Sequence, residues 1–241
     1  MRKVLFMKRS ELRLIEYMEG SKKRFIIPVY QRNYDWKIEN CKQLYDDLIQ
    51  VIKNNSKTHF FGSIVSVYEP SGRNTEFLII DGQQRLTTMS LLFLALYNLL
   101  EEKIIISEDE SLKDQIYEDF LVDKYQPQEK RMKLKPIKND QKAFSKLFNS
   151  KDDYIKDSNL TINYSYFYER IQKQEITIDE LFDAICRLEI INITLNNEDN
   201  PQLIFESLNS TGLDLSEGDK IRNYILMGLP KQKQDEYYEK Y

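Results

Sequence analysis

Residues 76–100 place the tightest constraint on how this chain can fold. Glu76-Phe77-Leu78-Ile79-Ile80 is a short run of apolar and aromatic residues, the composition of a strand. Asp81-Gly82-Gln83-Gln84-Arg85 follows and reads as a polar loop. From Leu86 to Leu100 the chain is apolar on nearly every helical face, so this helix must be buried on most sides. A strand, a polar loop and a buried helix in direct succession call for a sheet with helices packed on it. The expected class is α+β: a small mixed sheet carrying the loop, with helices around it and extending it.

The flanking sequence fills in this frame. Ser10 to Tyr17 reads as a short helix with Ser10 as N-cap and Gly20 as stop. Arg24 to Ile27 reads as a strand ending at Pro28, followed by the aromatic and polar segment Pro28 to Trp36. Cys41, Leu44, Tyr45, Leu48, Val51 and Ile52 recur at helical spacing, which predicts an amphipathic helix over 39–52. Phe60 to Val67 reads as a strand, Glu69 to Asn74 as a turn, and a hairpin with 76–80 follows. From Glu101 to Ile176 charges, tyrosines and lysines rise, and three or four surface-facing helices are expected, with a short strand over Lys130–Lys135. Leu188 to Leu195 reads as a strand; helices are expected from Asn200-Pro201 to Ser207, from Glu217 to Met227 behind Ser216, and over Lys231–Tyr241. The organisation expected is a core carrying the polar loop over 1–100, a helical insertion over 101–185, and a return strand with helices over 186–241. The last helix stops without a cap, as if a further domain followed.

Composition narrows the function. With 35 Lys and Arg against 39 Asp and Glu, the net charge is -4, so any DNA contact must be local. The basic clusters Lys22-Lys23-Arg24 and Lys130 to Lys138 read as solvated faces, with DNA phosphates as the alternative partner. Cys41 and Cys186 lack metal-type spacing, which fits a reduced, cytoplasmic protein. The start is too short and too soon charged for a signal peptide, and the run Leu91 to Leu96 is too short to span a bilayer, so no membrane partner is expected. The single histidine, His59, rules out a histidine-rich metal site and any nuclease motif built on two or three histidines.

The Asp81 loop carries the clearest chemistry. Gly82 permits a turn and close approach of a ligand. Gln83 and Gln84 offer amides, and Arg85 offers a planar fork that matches phosphate oxygens. Thr87 and Thr88 fall in the first turn of the next helix, whose free N–H groups and dipole favour an anion. The competing reading is a tight turn in which Asp81 caps the helix and Arg85 pairs with a carboxylate. No Walker-type Gly-x-x-x-x-Gly-Lys occurs in the chain. Asp81 could hold a magnesium ion, although one carboxylate says little by itself.

Four segments in order, Pro28-x-Tyr30-Gln31-Arg32-x-Tyr34-x-Trp36, His59-Phe60-Phe61-Gly62-Ser63-Ile64, Asp81-Gly82-Gln83-Gln84-Arg85-Leu86-Thr87-Thr88 and Phe205-x-x-Leu208-Asn209-x-x-Gly212-x-x-Leu215, resemble the N-terminal domain of GmrSD-type restriction endonucleases. That family is a branch of the ParB/sulfiredoxin-like fold. The resemblance implies that Asp81, Gln83, Gln84 and Arg85 form a nucleotide-hydrolysis motif. It further implies a nucleoside triphosphate as substrate or ligand, with Mg²⁺ and a lean toward GTP, and modified or foreign DNA as partner. Cleavage would belong to a C-terminal His-Asn-His-type nuclease domain or a separate nuclease subunit, and a homodimer is compatible with the likeness. A ParB-like DNA-binding module that clamps a nucleotide or DNA phosphate without turnover is the main rival. A defence protein with another C-terminal effector is the second.

Further residues have two readings each. Gln31 and Arg32 are assigned to the nucleotide pocket and Trp36 to the core. Tyr30 and Tyr34 could stack a base or sense a DNA modification, or pack beneath the next helix. His59 either sits on the rim or orients a phosphate or attacking water. Asn209 either belongs to a helix C-cap at Gly212 or, by the resemblance, lies beside the nucleotide. Arg222 is the preferred second phosphate contact, whereas Asp219 suits a helix cap.

Overall fold

The computed structural model describes residues 8–71, 74–195 and Lys233. Six strands form one mixed sheet: β1 (Lys8–Arg13), β2 (Lys23–Ile26), β3 (His59–Ser71), β4 (Asn74–Asp81), β5 (Leu134–Lys135) and β6 (Leu188–Leu195). Their order across the sheet is β1-β6-β3-β4-β2-β5. The hairpin pair β3–β4 and the pair β1–β6 are antiparallel; β3–β6, β2–β4 and β2–β5 are parallel. The chain is therefore α+β with a mixed sheet.

Alternation along the strands sends side chains to two faces. Phe25, Ile64, Ile79, Leu188 and Ile190 join one large core with the helices. Val65, Val67, Ile80 and Leu195 gather with Tyr30 in a second, smaller cluster. The central helix α3 (Gln83–Glu101), which follows α1 (Leu14–Met18) and α2 (Ile38–Lys53), is apolar around its circumference, and Leu86 and Met89 through Leu96 are all buried. That burial needs cover on several sides. It comes from α4 (Leu112–Ile116) with the π-turn Tyr117–Leu121, and from α6 (Asn159–Ile171), which follows α5 (Lys138–Lys146). Phe93 stacks on Phe120 with ring centroids 4.3 Å apart, and Leu160, Tyr164 and Phe167 of α6 are buried in the same core. A further helix, α7 (Ile178–Cys186), opens with a Thr177–Glu180 capping box and packs beside α2.

Several sequence expectations need correction. The helix expected from Ser10 is strand β1, because Ser10 and Leu12 pair with Asn192 and Ile190 of β6; only Leu14–Met18 is helical. Pairing with a distant strand overrides the local capping signal. Glu69 and Pro70, expected in the turn, continue the ladder opposite Glu76 and Thr75. The short strand near Lys130 is confined to Leu134–Lys135. The helices expected to face the surface between 101 and 176 instead supply core residues, because α3 has no face left for solvent. The polar loop over 81–85 contracts to one residue: β4 runs through Asp81 and α3 starts at Gln83. The helices expected after Asn200 lie outside the described residues apart from Lys233, which is helical.

Candidate anion site at the start of helix α3

Gly82 joins β4 to α3 with φ +91°, a left-handed conformation that glycine adopts without a Cβ penalty. A Cβ there would stand 3.0 Å from both the Ser63 carbonyl oxygen and Ile64 Cγ1 on β3, so conformation and space both require glycine. As the N-cap it has no side chain to fold over the first turn, and no side chain caps that turn. Leu86 N–H donates to Gly82 O, which leaves the N–H groups of Gln83, Gln84 and Arg85 without an intrahelical partner.

Arg85, in this first turn, reaches sideways across β3. Its Nη1 donates to Ser63 O at 2.7 Å and lies 3.9 Å from Asp81 Oδ2. The side chain crosses Gly62, where a Cβ would come within 2.6 Å of Arg85 Nε. Gly62 has φ +124° and sits at a register shift between β3 and β6. A bulge plus a missing side chain thus make the bed on which the guanidinium lies. One face is anchored and the side chain remains partly exposed. The sequence reading named no role for Gly62 or Ser63, although a glycine inside a strand pattern is the usual signal of a bulge or a close approach.

The neighbouring side chains divide sharply. Gln84 is buried and fully engaged: its Oε1 accepts from Asp35 N–H at 2.9 Å and Trp36 N–H at 3.2 Å, and its Nε2 donates to Asn33 O at 3.1 Å. Gln31 is buried and donates to Ile80 O at 2.8 Å. Thr88 is buried, with its hydroxyl 2.7 Å from the Tyr34 hydroxyl. Thr87 is buried too. Asn163 of α6 donates to Tyr34 Oη at 3.0 Å and to Trp36 O at 2.8 Å, and Asp140 of α5 accepts from Tyr34 N–H at 2.7 Å. Burial pushes the Tyr34 phenol well above its ordinary value, so it stays neutral, and burial likewise raises the Asp140 carboxyl. These contacts latch the segment Asn33–Trp36 over the first turn of α3.

The remaining candidates fall around this latch. Tyr30 is buried in the cluster with Val65 and Ile80, so neither it nor Tyr34 presents its ring to a partner at the surface. Trp36 is partly buried against the main core, and Arg32 is half-buried. His59 opens β3 and its Nε2 lies 3.7 Å from Asp47 Oδ2 of α2; the structure pairs it with that carboxylate. Gln83 is mostly buried, and among the described residues its amide has no hydrogen-bond partner. Asn209 and Arg222 lie outside the described residues. Among the described residues, no group of three or more His, Cys, Asp or Glu is placed to hold a metal ion. No helix among them is long and apolar enough to cross a membrane.

The arrangement can do one thing well: hold a compact anion between an uncapped helix start and an arginine fixed by its backbone contact. The family model described as GmrSD restriction endonuclease, N-terminal domain, matches residues 14–226. That span includes the whole latch, the Gly62 bed and α3. Comparison with curated proteins gives no match.

Proposed function

The chain belongs to the GmrSD restriction endonuclease N-terminal domain family, and on that premise we propose that the start of α3 binds the phosphates of a nucleoside triphosphate and hydrolyses the terminal one. The observation that carries this reading is Arg85: anchored by one N–H on Ser63 O, it holds a fixed positive charge beside free backbone donors. Phosphoryl transfer asks mainly for positioning and charge stabilisation, which is what such a site supplies. Water attacks the terminal phosphorus, the bond to the bridging oxygen breaks, and diphosphate nucleotide and inorganic phosphate leave. Arg85 and the first-turn N–H groups take up the charge on the phosphate oxygens. Gln83, whose amide has no hydrogen-bond partner among the described residues, is the side chain assigned to orient the water.

Magnesium usually meets a protein through one or two carboxylates and completes its shell with substrate phosphates and water. Asp81, its Oδ2 3.9 Å from Arg85 Nη1, is the carboxylate that would meet such an ion. The ion would add charge neutralisation at the phosphates. Asn209 and Arg222 are assigned to the far wall of the pocket, and GTP is the favoured nucleotide. In this reading the domain is the sensor half of a restriction system acting on modified or foreign DNA. A His-Asn-His-type nuclease domain or subunit cuts, and two copies pair. The ParB/sulfiredoxin-like reading of the sheet belongs to the same proposal.

The test is phosphate release with each nucleoside triphosphate, for wild type and Arg85→Ala. Wild type should release phosphate, and the variant should fall by about 10²–10³, the usual loss for one preorganised donor. No release and no binding with any nucleotide would leave the non-catalytic DNA-binding module as the better account.

A further inference from the structure

At the other end of β4 the structure assembles a second set of cations. Lys22, Lys23 and Arg24 enter β2, Lys130 closes the loop after the π-turn, and with Asn74 and Gln126 they line a shallow, open cleft. Two basic clusters more than a hundred residues apart in sequence thus meet on one face. Two carboxylates, Asp123 and Glu76, also line it. Asp123 is buried and turned to its own surroundings, accepting from Lys22 N–H at 2.6 Å, Tyr125 N–H at 3.0 Å and Gln126 Nε2 at 3.4 Å. Glu76 is loosely paired with Arg24 Nη1 at 3.8 Å. Lys23 turns its ammonium away, donating to Tyr17 O at 2.8 Å, so Lys22, Arg24 and Lys130 against Asp123 and Glu76 leave a net positive cleft on a chain whose net charge is -4.

The cleft is held in shape. Asn74 and Gln126 exchange amide hydrogen bonds of 2.8 and 3.1 Å, tying the hairpin to the loop. Lys22 is fixed with φ +62°, its N–H on Asp123 and its carbonyl accepting from Thr75 N–H at 2.8 Å. A non-glycine residue kept in the left-handed region by contacts on both sides is the kind of strain that fixes a side chain's position. Arg24 Nη2 donates to Glu129 O at 3.3 Å, yet its Nε is buried without a partner. A buried, unpaired guanidinium N–H is costly. Tyr125, 71% exposed, stands on the same loop with Lys124 Nζ 5.6 Å from its ring centroid.

We propose that this cleft is a second anion site, taking the phosphodiester backbone of a nucleic acid, with Lys22 and Lys130 as its outer contacts and Arg24 at its floor. Spaced cations on an exposed rim with an accessible aromatic ring suit a nucleic-acid backbone, which brings phosphates in series and bases beside them. The site is separate from the start of α3: β4 spans about 23 Å between Asn74 and Asp81 at the usual strand rise.

The experiment is fluorescence anisotropy of the full chain with a labelled DNA duplex across a salt series. Lys22→Asn/Lys130→Gln removes two exposed charges, and asparagine tolerates the left-handed backbone at position 22. Wild type should bind, and the double variant should lower the slope of log affinity against log salt by about two. Arg85→Ala should leave that slope unchanged, so a failed nucleotide reading and a failed cleft reading are told apart. The proposal is overturned if the double variant keeps the wild-type slope, if the slope falls only in Arg85→Ala, or if wild type binds an acidic peptide and no DNA.

Discussion

The two ends of β4 are built alike and differ in where their parts come from. At the Asp81 end, Arg85 donates to a strand carbonyl and stands 3.9 Å from Asp81. At the Asn74 end, Arg24 donates to a loop carbonyl and stands 3.8 Å from Glu76. Each end is braced by a buried acceptor that gathers backbone N–H groups, Gln84 in one case and Asp123 in the other. Each has a left-handed residue at the turn, Gly82 or Lys22. The difference lies beside the arginine. One end adds a helix start, which concentrates positive potential at a point; the other adds lysines, which spread it along a rim. A point suits a compact polyphosphate, and a rim suits a chain of phosphates.

The braces should show the largest effects. Gln84→Ala leaves two backbone N–H groups and the Asn33 carbonyl without their partner, so unfolding free energy should fall by about 2–3 kcal/mol in urea titration. An unchanged midpoint would mean that the Asn33–Trp36 latch is held by Tyr34 and Asn163 alone. Asp123→Ala should cost somewhat less, about 2 kcal/mol, because the N–H groups it serves lie nearer solvent. A loss confined to the Asn74 end, seen as faster amide exchange of Lys22 and Tyr125 and not of Asp35, would confirm that the two ends are braced independently.

This comparison also explains what could be read before the structure. The Asp81 end comes from consecutive residues, so a strand, a glycine, an arginine and a helix start were all visible in one stretch of sequence. Its depth was not. That Gln84 faces inward while Arg85 crosses β3 depends on Gly62 and on the latch from Asn33 to Trp36, partners 22 to 51 residues away. The strands β2, β3, β4 and β6 and helix α2 were legible because period and composition agreed locally. Strand β1 was not, since its only strand signal is a partner some 180 residues away. At the Asn74 end the two basic clusters were visible in the sequence, but not that they meet: 22–24, 74–76 and 123–130 come together only in the fold.

A pH measurement sharpens the contrast further. Lys133 is fully buried under the Asn74 end, donating to Gly20 O at 2.8 Å and to Asp119 O. Burial pulls its ammonium down to about 8, from an ordinary 10.5. Above pH 8 the native state gives up this proton while the unfolded chain keeps it. Lys133 alone therefore adds stability from pH 8 upward, at up to about 1.4 kcal/mol per unit. The Cys41 and Cys186 thiols, pushed up by burial to about 12 and about 11, work against it from about pH 9, so the contribution is read as the difference from Lys133→Met. The buried phenols of Tyr17 and Tyr34, raised by desolvation, work the other way only above their ordinary value near 10. Lys133→Met should lack that gain. A gain that survives the substitution would move its origin away from this end of the strand.

The smallest expected effect on stability is at Gln83, and it is the most discriminating. Gln83 neighbours Gln84 in the same turn, with the same side chain, but its amide makes no hydrogen bond among the described residues. Gln83→Ala should cost less unfolding free energy than Gln84→Ala, because it removes the packing of a buried side chain and no hydrogen bond. If Gln83 orients the attacking water, turnover should fall while the KM for nucleotide stays near wild type, because the phosphates keep Arg85 and the helix start. A raised KM with unchanged turnover would make Gln83 a binding contact. A stability loss matching that of Gln84→Ala would erase the distinction between a bracing and an open glutamine on which the reading of this turn rests.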